Sequence, residues 1–154
     1  MEEEIKQEDQ SCNKIWKEYI KEKFHLQEQN ANLYSPLVLA YMGDCVYELF
    51  IRTKIVNMGN MQVNKMHQQS ASLVKASAQA EMVYAIMELL TETEKQIYKR
   101  GRNAKSLTMA KNATVTEYRT ATGFEALIGY LYLSGQEKRL VELISMGLEK
   151  MGVF

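Results

Sequence analysis

The chain has 154 residues, with 19 basic and 19 acidic side chains and hence zero formal net charge. That length fits one domain, large enough to bury about 70% of its unfolded surface without disulfides. Hydrophobic residues at 46% and charged residues at 25% exclude wholesale disorder, and neutrality argues against a general nucleic-acid coat protein.

No apolar run approaches the roughly 18 residues of a membrane span. The acidic start MEEEIKQEDQ is unlike a secretory signal, so a cytoplasmic protein without a membrane partner is expected. Cys12 and Cys45 lie far apart, with no CxxC and only two histidines, which indicates neither a disulfide framework nor a zinc site.

One proline and eight glycines leave too little punctuation for a β-rich fold, so the chain reads as all-α. Residues 1–28 carry eight acids and five bases, and an amphipathic helix is expected from about Ser11. A helix opens at Ser35-Pro36, with Ser35 as cap and Pro36 in the first turn, and runs to about Asn57 before Gly59. The next covers about Val63 to Leu90, with a break expected near Ser77. Thr91 and Glu94 form a capping box that starts a short helix ending at Gly101. After a polar stretch, Arg102 to about Thr116, a helix covers about Glu117 to Leu133. The last begins near Gln136, with Leu140, Leu143, Ile144, Leu148 and Met151 on one face.

The segment VLAYMGDCVYELFI, residues 38–51, reads as a mostly buried helix. Val38, Met42, Cys45 and Leu49 form one apolar stripe, and Leu39, Val46 and Phe50 another. Asp44 and Glu48 are its only charges, and they share a face, where like charges oppose helix formation by a few tenths of a kcal/mol. Gly43 costs about another 1 kcal/mol relative to alanine in a helix interior. Two readings are open. Asp44 supplies a metal-binding carboxylate, with Gly43 permitting close approach of a neighbour, or both acids lie on a solvated edge or pair with arginines.

The segment TGFEALIGYLYL, residues 122–133, is a second apolar helix with one acid, Glu125. Thr122-x-x-Glu125 is itself a capping-box pattern, in which Glu125 returns a hydrogen bond to the helix start. The competing reading pairs Glu125 with Asp44, since Mg²⁺ is commonly held by one or two carboxylates, with waters and phosphate completing its shell.

Between these helices, residues 95–119 hold seven bases against one acid, a local charge of +6. Lys99 and Arg100 suit the negative end of a helix dipole. Arg102, Lys105 and Lys111 lie beyond it, among Asn103, Ser106 and Asn112, in a segment suited to phosphate contacts or simply to solvent.

Three blocks, LAYMGDCVYE at 39–48, RGRNAKS at 100–106 and TGFEALIGYLYL at 122–133, together resemble Mini-ribonuclease III, the ribonuclease III branch without a double-stranded-RNA-binding domain. The resemblance covers about Tyr34 to Met151, leaving residues 1–30 as an extension and 31–154 as the catalytic domain. It implies an all-α ribonuclease III-type endonuclease fold forming a two-fold homodimer that cleaves double-stranded RNA with Mg²⁺, in maturation of 23S ribosomal RNA precursors. A large-subunit ribosomal protein is a further candidate partner. It also implies Asp44 and Glu125 as catalytic and metal-binding residues; Arg100, Arg102, Asn103, Lys105 and Lys111 are the RNA-binding candidates.

Ala40 and Thr122 stand where the larger members of the superfamily carry a glutamate and an aspartate, leaving fewer carboxylates for metal. The alternative is therefore a non-catalytic RNA-binding or ribosome-associated helical module that has lost its acids.

Overall fold

The structure, a computed structural model, describes residues 16–105 and 114–154. Among the described residues there are helices and turns and no strand, and no helix is long and apolar enough to cross a membrane. The chain divides into two compact units between Asn30 and Ala31. In the first, α1 (Trp16–Lys23) has no buried residue, and Lys21 pairs with Glu28.

The second unit begins with a 3₁₀ turn, Ala31–Leu33, followed by α2 (Pro36–Asn57). Ser35 caps α2 by accepting from the Val38 amide at 3.3 Å, with Pro36 in the first turn, where its missing amide costs nothing. The long helix expected from Val63 is two helices, α3 (Val63–Val74) and α4 (Ala76–Ile86), finished by a 3₁₀ turn over Met87–Leu89. The break falls at Lys75, whose extended backbone (ψ 157°) redirects the chain, two residues before the expected Ser77.

Helix α5 (Glu92–Asn103) starts at the expected Thr91/Glu94 capping box but continues past Gly101. Gly101 is no terminator. It is buried against Thr122, Gly123 and Ala126, and a Cβ there would clash with the Ala126 side chain. Helix α6 (Val115–Leu133) is capped by Thr114 and Glu117, and α7 (Glu137–Lys150) follows a turn at Gly135.

Helix α6 is apolar nearly all round because it is surrounded: it packs against α2, α4, α5 and α7. Phe124, Leu127, Ile128 and Leu131 are fully buried along it, each stabilising the fold by about 1.5–3 kcal/mol. Tyr47 of α2 meets Phe124 edge-on, ring centroids 5.0 Å apart, and its hydroxyl donates to the Leu73 carbonyl. Leu140, Leu143 and Ile144 of α7 close the core, with Leu148 and Met151 half-buried beside it. Arg139 of α7 grips the start of α5, donating to both Glu94 carboxylate oxygens at 3.0 and 2.8 Å and to the Leu89 carbonyl at 2.6 Å.

One expectation for α2 is overturned. Leu39 and Val46 are buried, but Val38, Cys45 and Leu49 are exposed, as is Tyr41. The second stripe faces the core, with Phe50 half-buried beside it, whereas of the first only Met42 packs against the core.

Candidate active site

Where α2 crosses α6, Gly43 lies against the Glu125 carbonyl and the Gly129 amide, and Gly129 against the Leu39 carbonyl. A Cβ on either glycine would overlap backbone, so the two helices touch without side chains between them. The close approach expected at Gly43 is made by α6. It brings Asp44, the next residue on α2, to the same cleft as Glu125.

That cleft, of about 380 Å³, is lined by α2, α6 and the α3–α4 junction. Asp44 stands exposed at its rim, while Glu125 is half-buried deeper in. Burial raises the Asp44 carboxyl above its ordinary value, and the charge of Glu48 adds to this. Glu125 is pushed up to about 8, first by burial and then by Asp44, with the Gln79 amide opposing the rise. Both shifts show that two negative charges are costly together in this cleft, a cost that a bound cation would relieve.

The capping reading of Glu125 does not hold. The helix begins two turns earlier, at Thr114, and Thr122 donates its hydroxyl back to the Tyr118 carbonyl at 3.0 Å. Glu125 is thus a mid-helix residue whose carboxyl is free to face the cleft. Ala40 and Thr122, the two positions without the larger enzymes' acids, line the same cleft and offer it a methyl and a hydroxyl that is already donating. Glu48 turns away: Arg52 donates to its Oε1 at 2.9 and 3.2 Å, the arginine pairing that the blander reading anticipated.

Among the described residues no cluster of three or more acids, histidines or cysteines stands ready for a metal. Two carboxylates fit Mg²⁺ nonetheless, since that ion keeps several waters and takes few protein oxygens.

The RNA-binding candidates lie elsewhere on the surface. Arg100, Arg102 and Asn103 are exposed on the last turn of α5, and Lys105 is exposed just beyond it; none lines the cleft. Arg102 lies over the Tyr98 ring, 6.0 Å from its centroid. Lys111 lies outside the described residues.

Two cleft residues escape sequence reading: Lys75, at the helix break, and Gln79, one turn into α4. The available signal for Gln79 is a lone amide in the run ASAQAEMVYAI, at a position that is 2% exposed.

Comparison with known proteins bears on the same residues. The Ribonuclease III domain family matches residues 37–136, which includes Asp44, α5 and Glu125. The chain is 52% identical over 118 residues to the Mini-ribonuclease 3 of Enterococcus faecalis, spanning 75% of this chain and 89% of that protein. It is 54% identical over 115 residues to the Mini-ribonuclease 3 of Thermoanaerobacter sp., spanning 75% and 81%. A crystal structure of a Fusobacterium nucleatum protein superposes with a TM-score of 0.71 at 32% identity, covering 79% of this chain and 98% of that one. The chain therefore belongs to the ribonuclease III family, in its Mini-ribonuclease III branch, and is an endoribonuclease acting on double-stranded RNA.

Proposed function

We propose that this chain works in the cytoplasm as a Mg²⁺-dependent homodimer that cleaves duplex segments of the 23S ribosomal RNA precursor, with residues 31–154 as its catalytic domain and 1–30 as an extension. The observation that carries the reading is the convergence of Asp44 from α2 and Glu125 from α6 on one cleft. Asp44 and Glu125 are the catalytic carboxylates and hold the cation. Each is fixed by a different helix, and the Gly43–Gly129 crossing sets their separation. A Mg²⁺ ion bound there supplies charge stabilisation for the phosphoryl oxygens and an acidified water. Arg100, Arg102, Asn103 and Lys105, with Lys111 beyond, hold backbone phosphates and so position the duplex by shape rather than by sequence.

The homodimer is supported by the apolar stripe of α2. Val38, Tyr41 and Leu49 are 46%, 81% and 52% exposed, with Cys45 between them, and Tyr41 also lines the cleft. A second copy seated there by a two-fold axis would set two clefts side by side, one for each antiparallel strand. A large-subunit ribosomal protein is the candidate partner that would present the RNA.

The deciding experiment incubates wild type and Asp44→Asn with an RNA duplex, in Mg²⁺ and then in chelator. Cleavage by wild type in Mg²⁺ alone, and its loss in Asp44→Asn, are expected. Undiminished cleavage by the variant would remove Asp44 from the site, and an RNA complex that is shifted but never cut would favour the binding module.

A further inference from the structure

Gln79 is a polar side chain at a position where stability alone calls for an apolar one. It lies on α4 between the buried Ala78 and Ala80 and is 2% exposed. Its Nε2 donates to the Val74 carbonyl at 2.8 Å, across the break between α3 and α4. Gln79 lines the same cleft as Glu125, and its amide favours the charged form of that carboxyl. A glutamine amide nitrogen carries two hydrogens, so one remains beyond the bond to Val74. Its Oε1, in contrast, is buried with no hydrogen-bond partner among the described residues. An unmet buried acceptor is destabilising, and methionine or leucine would fill the space without it. The donor half of the amide is the half the fold uses.

We propose that Gln79 is a positioning residue for the cleavage reaction: its Nε2, anchored on the Val74 carbonyl, fixes the Glu125 carboxylate in the cleft shared with Asp44. This rests on the reading of Asp44 and Glu125 as the cation-holding pair. With alanine and threonine at positions 40 and 122, the site has two carboxylates, so the orientation of each matters more. Glu125 reaches the cleft on a flexible stem, and a donor fixed to backbone removes that freedom before any ligand arrives. Partners that orient metal-binding side chains in this way influence affinity although they never touch the ion.

The test uses the full chain with Gln79→Met and Gln79→Leu, beside Glu125→Gln. Three quantities are measured: thermal unfolding without metal, binding of Mn²⁺ alone by calorimetry, and cleavage of an RNA duplex against Mg²⁺ concentration. The Gln79 variants should melt at or above the wild-type temperature yet bind Mn²⁺ roughly 10–100-fold more weakly. Their half-saturating Mg²⁺ should rise by a similar factor, with a smaller change in the rate at saturation, whereas Glu125→Gln should lose cleavage outright. Wild-type Mn²⁺ affinity and Mg²⁺ dependence in either folded variant, with Glu125→Gln inactive, would reduce Gln79 to a structural residue and overturn the proposal. A lowered melting temperature with unchanged Mn²⁺ affinity would do the same. Wild-type metal binding and cleavage by Glu125→Gln would instead overturn the carboxylate pair itself, and the role of Gln79 with it.

Discussion

Gly43 and Gly129 meet backbone to backbone where α2 crosses α6, and the acids of the cleft flank that contact: Asp44 follows Gly43, and Glu125 lies one turn before Gly129. Replacing Gly43 with alanine gains about 1 kcal/mol of helix propensity. The new Cβ, however, would overlap the Glu125 carbonyl, and neither backbone can yield without moving its helix. Overpacking of this kind costs about 1–3 kcal/mol or more. Gly43→Ala is therefore expected to lower the thermal midpoint and to depress duplex cleavage further than the smaller folded fraction explains. Calorimetry with a single-turnover assay checks both, and an unchanged midpoint would show that the crossing has slack.

The local part of this architecture was legible in the sequence, because caps act within one turn. Ser35-Pro36 and the Thr91/Glu94 box start helices at the expected positions. What local chemistry could not settle was a choice between equals. Thr114-x-x-Glu117 and Thr122-x-x-Glu125 carry the same pattern, and packing of the intervening turns against α5 makes the first the cap and releases Glu125. Gly101 looked like a stop signal for a similar reason, since its actual role depends on Gly123 and Ala126 in another helix. The stripe of Val38, Cys45 and Leu49 announced a surface suited to burial but not what would cover it. Gln79 was invisible because its meaning lies in the Val74 carbonyl that anchors it and the cleft it shares with Glu125, brought together only by the fold.

Stability should depend on pH through Glu125. Its folded value of about 8 lies above the ordinary 4.5, so the folded protein binds this proton more tightly than the unfolded chain does. The stabilisation from that proton is complete below pH 4.5 and is lost as pH rises through 8. Metal-free Glu125→Gln should thus gain on wild type as pH rises across that window, by at most about 1.4 kcal/mol for each unit. Chemical denaturation in chelator at several pH values measures the difference. A constant gap would show that Glu125 titrates normally.

Phosphate binding at the end of α5 should be visible in salt. Arg102 and Lys105 are exposed, and Arg102 is steadied over the Tyr98 ring. Neutralising both with Arg102→Gln and Lys105→Gln should weaken duplex binding. It should also flatten the dependence of log affinity on log salt by about 0.7–0.9 for each phosphate that the variant no longer neutralises. Measurements in calcium or chelator, with cleavage suppressed, separate binding from turnover. An unchanged slope would assign these side chains to solvent.

The exposed stripe of α2 makes the sharpest claim about assembly. Large apolar side chains scattered singly over a surface need no partner, but Val38, Tyr41, Cys45 and Leu49 recur every three or four residues and form one continuous face. Covering it with a second copy would remove it from water at about 25 cal/mol for each Å² of apolar area. A charge placed on it would have to be buried without a partner. Leu49→Arg should therefore convert a dimer to a monomer in sedimentation velocity at micromolar concentration. Because Leu49 is half-exposed in the single subunit, the thermal midpoint extrapolated to low protein concentration should change little. Cleavage should fall with the dimer fraction, since one subunit offers one cleft to two strands. A wild-type protein that sediments as a monomer would end the two-fold reading, leaving each Asp44–Glu125 cleft to cut its strand independently.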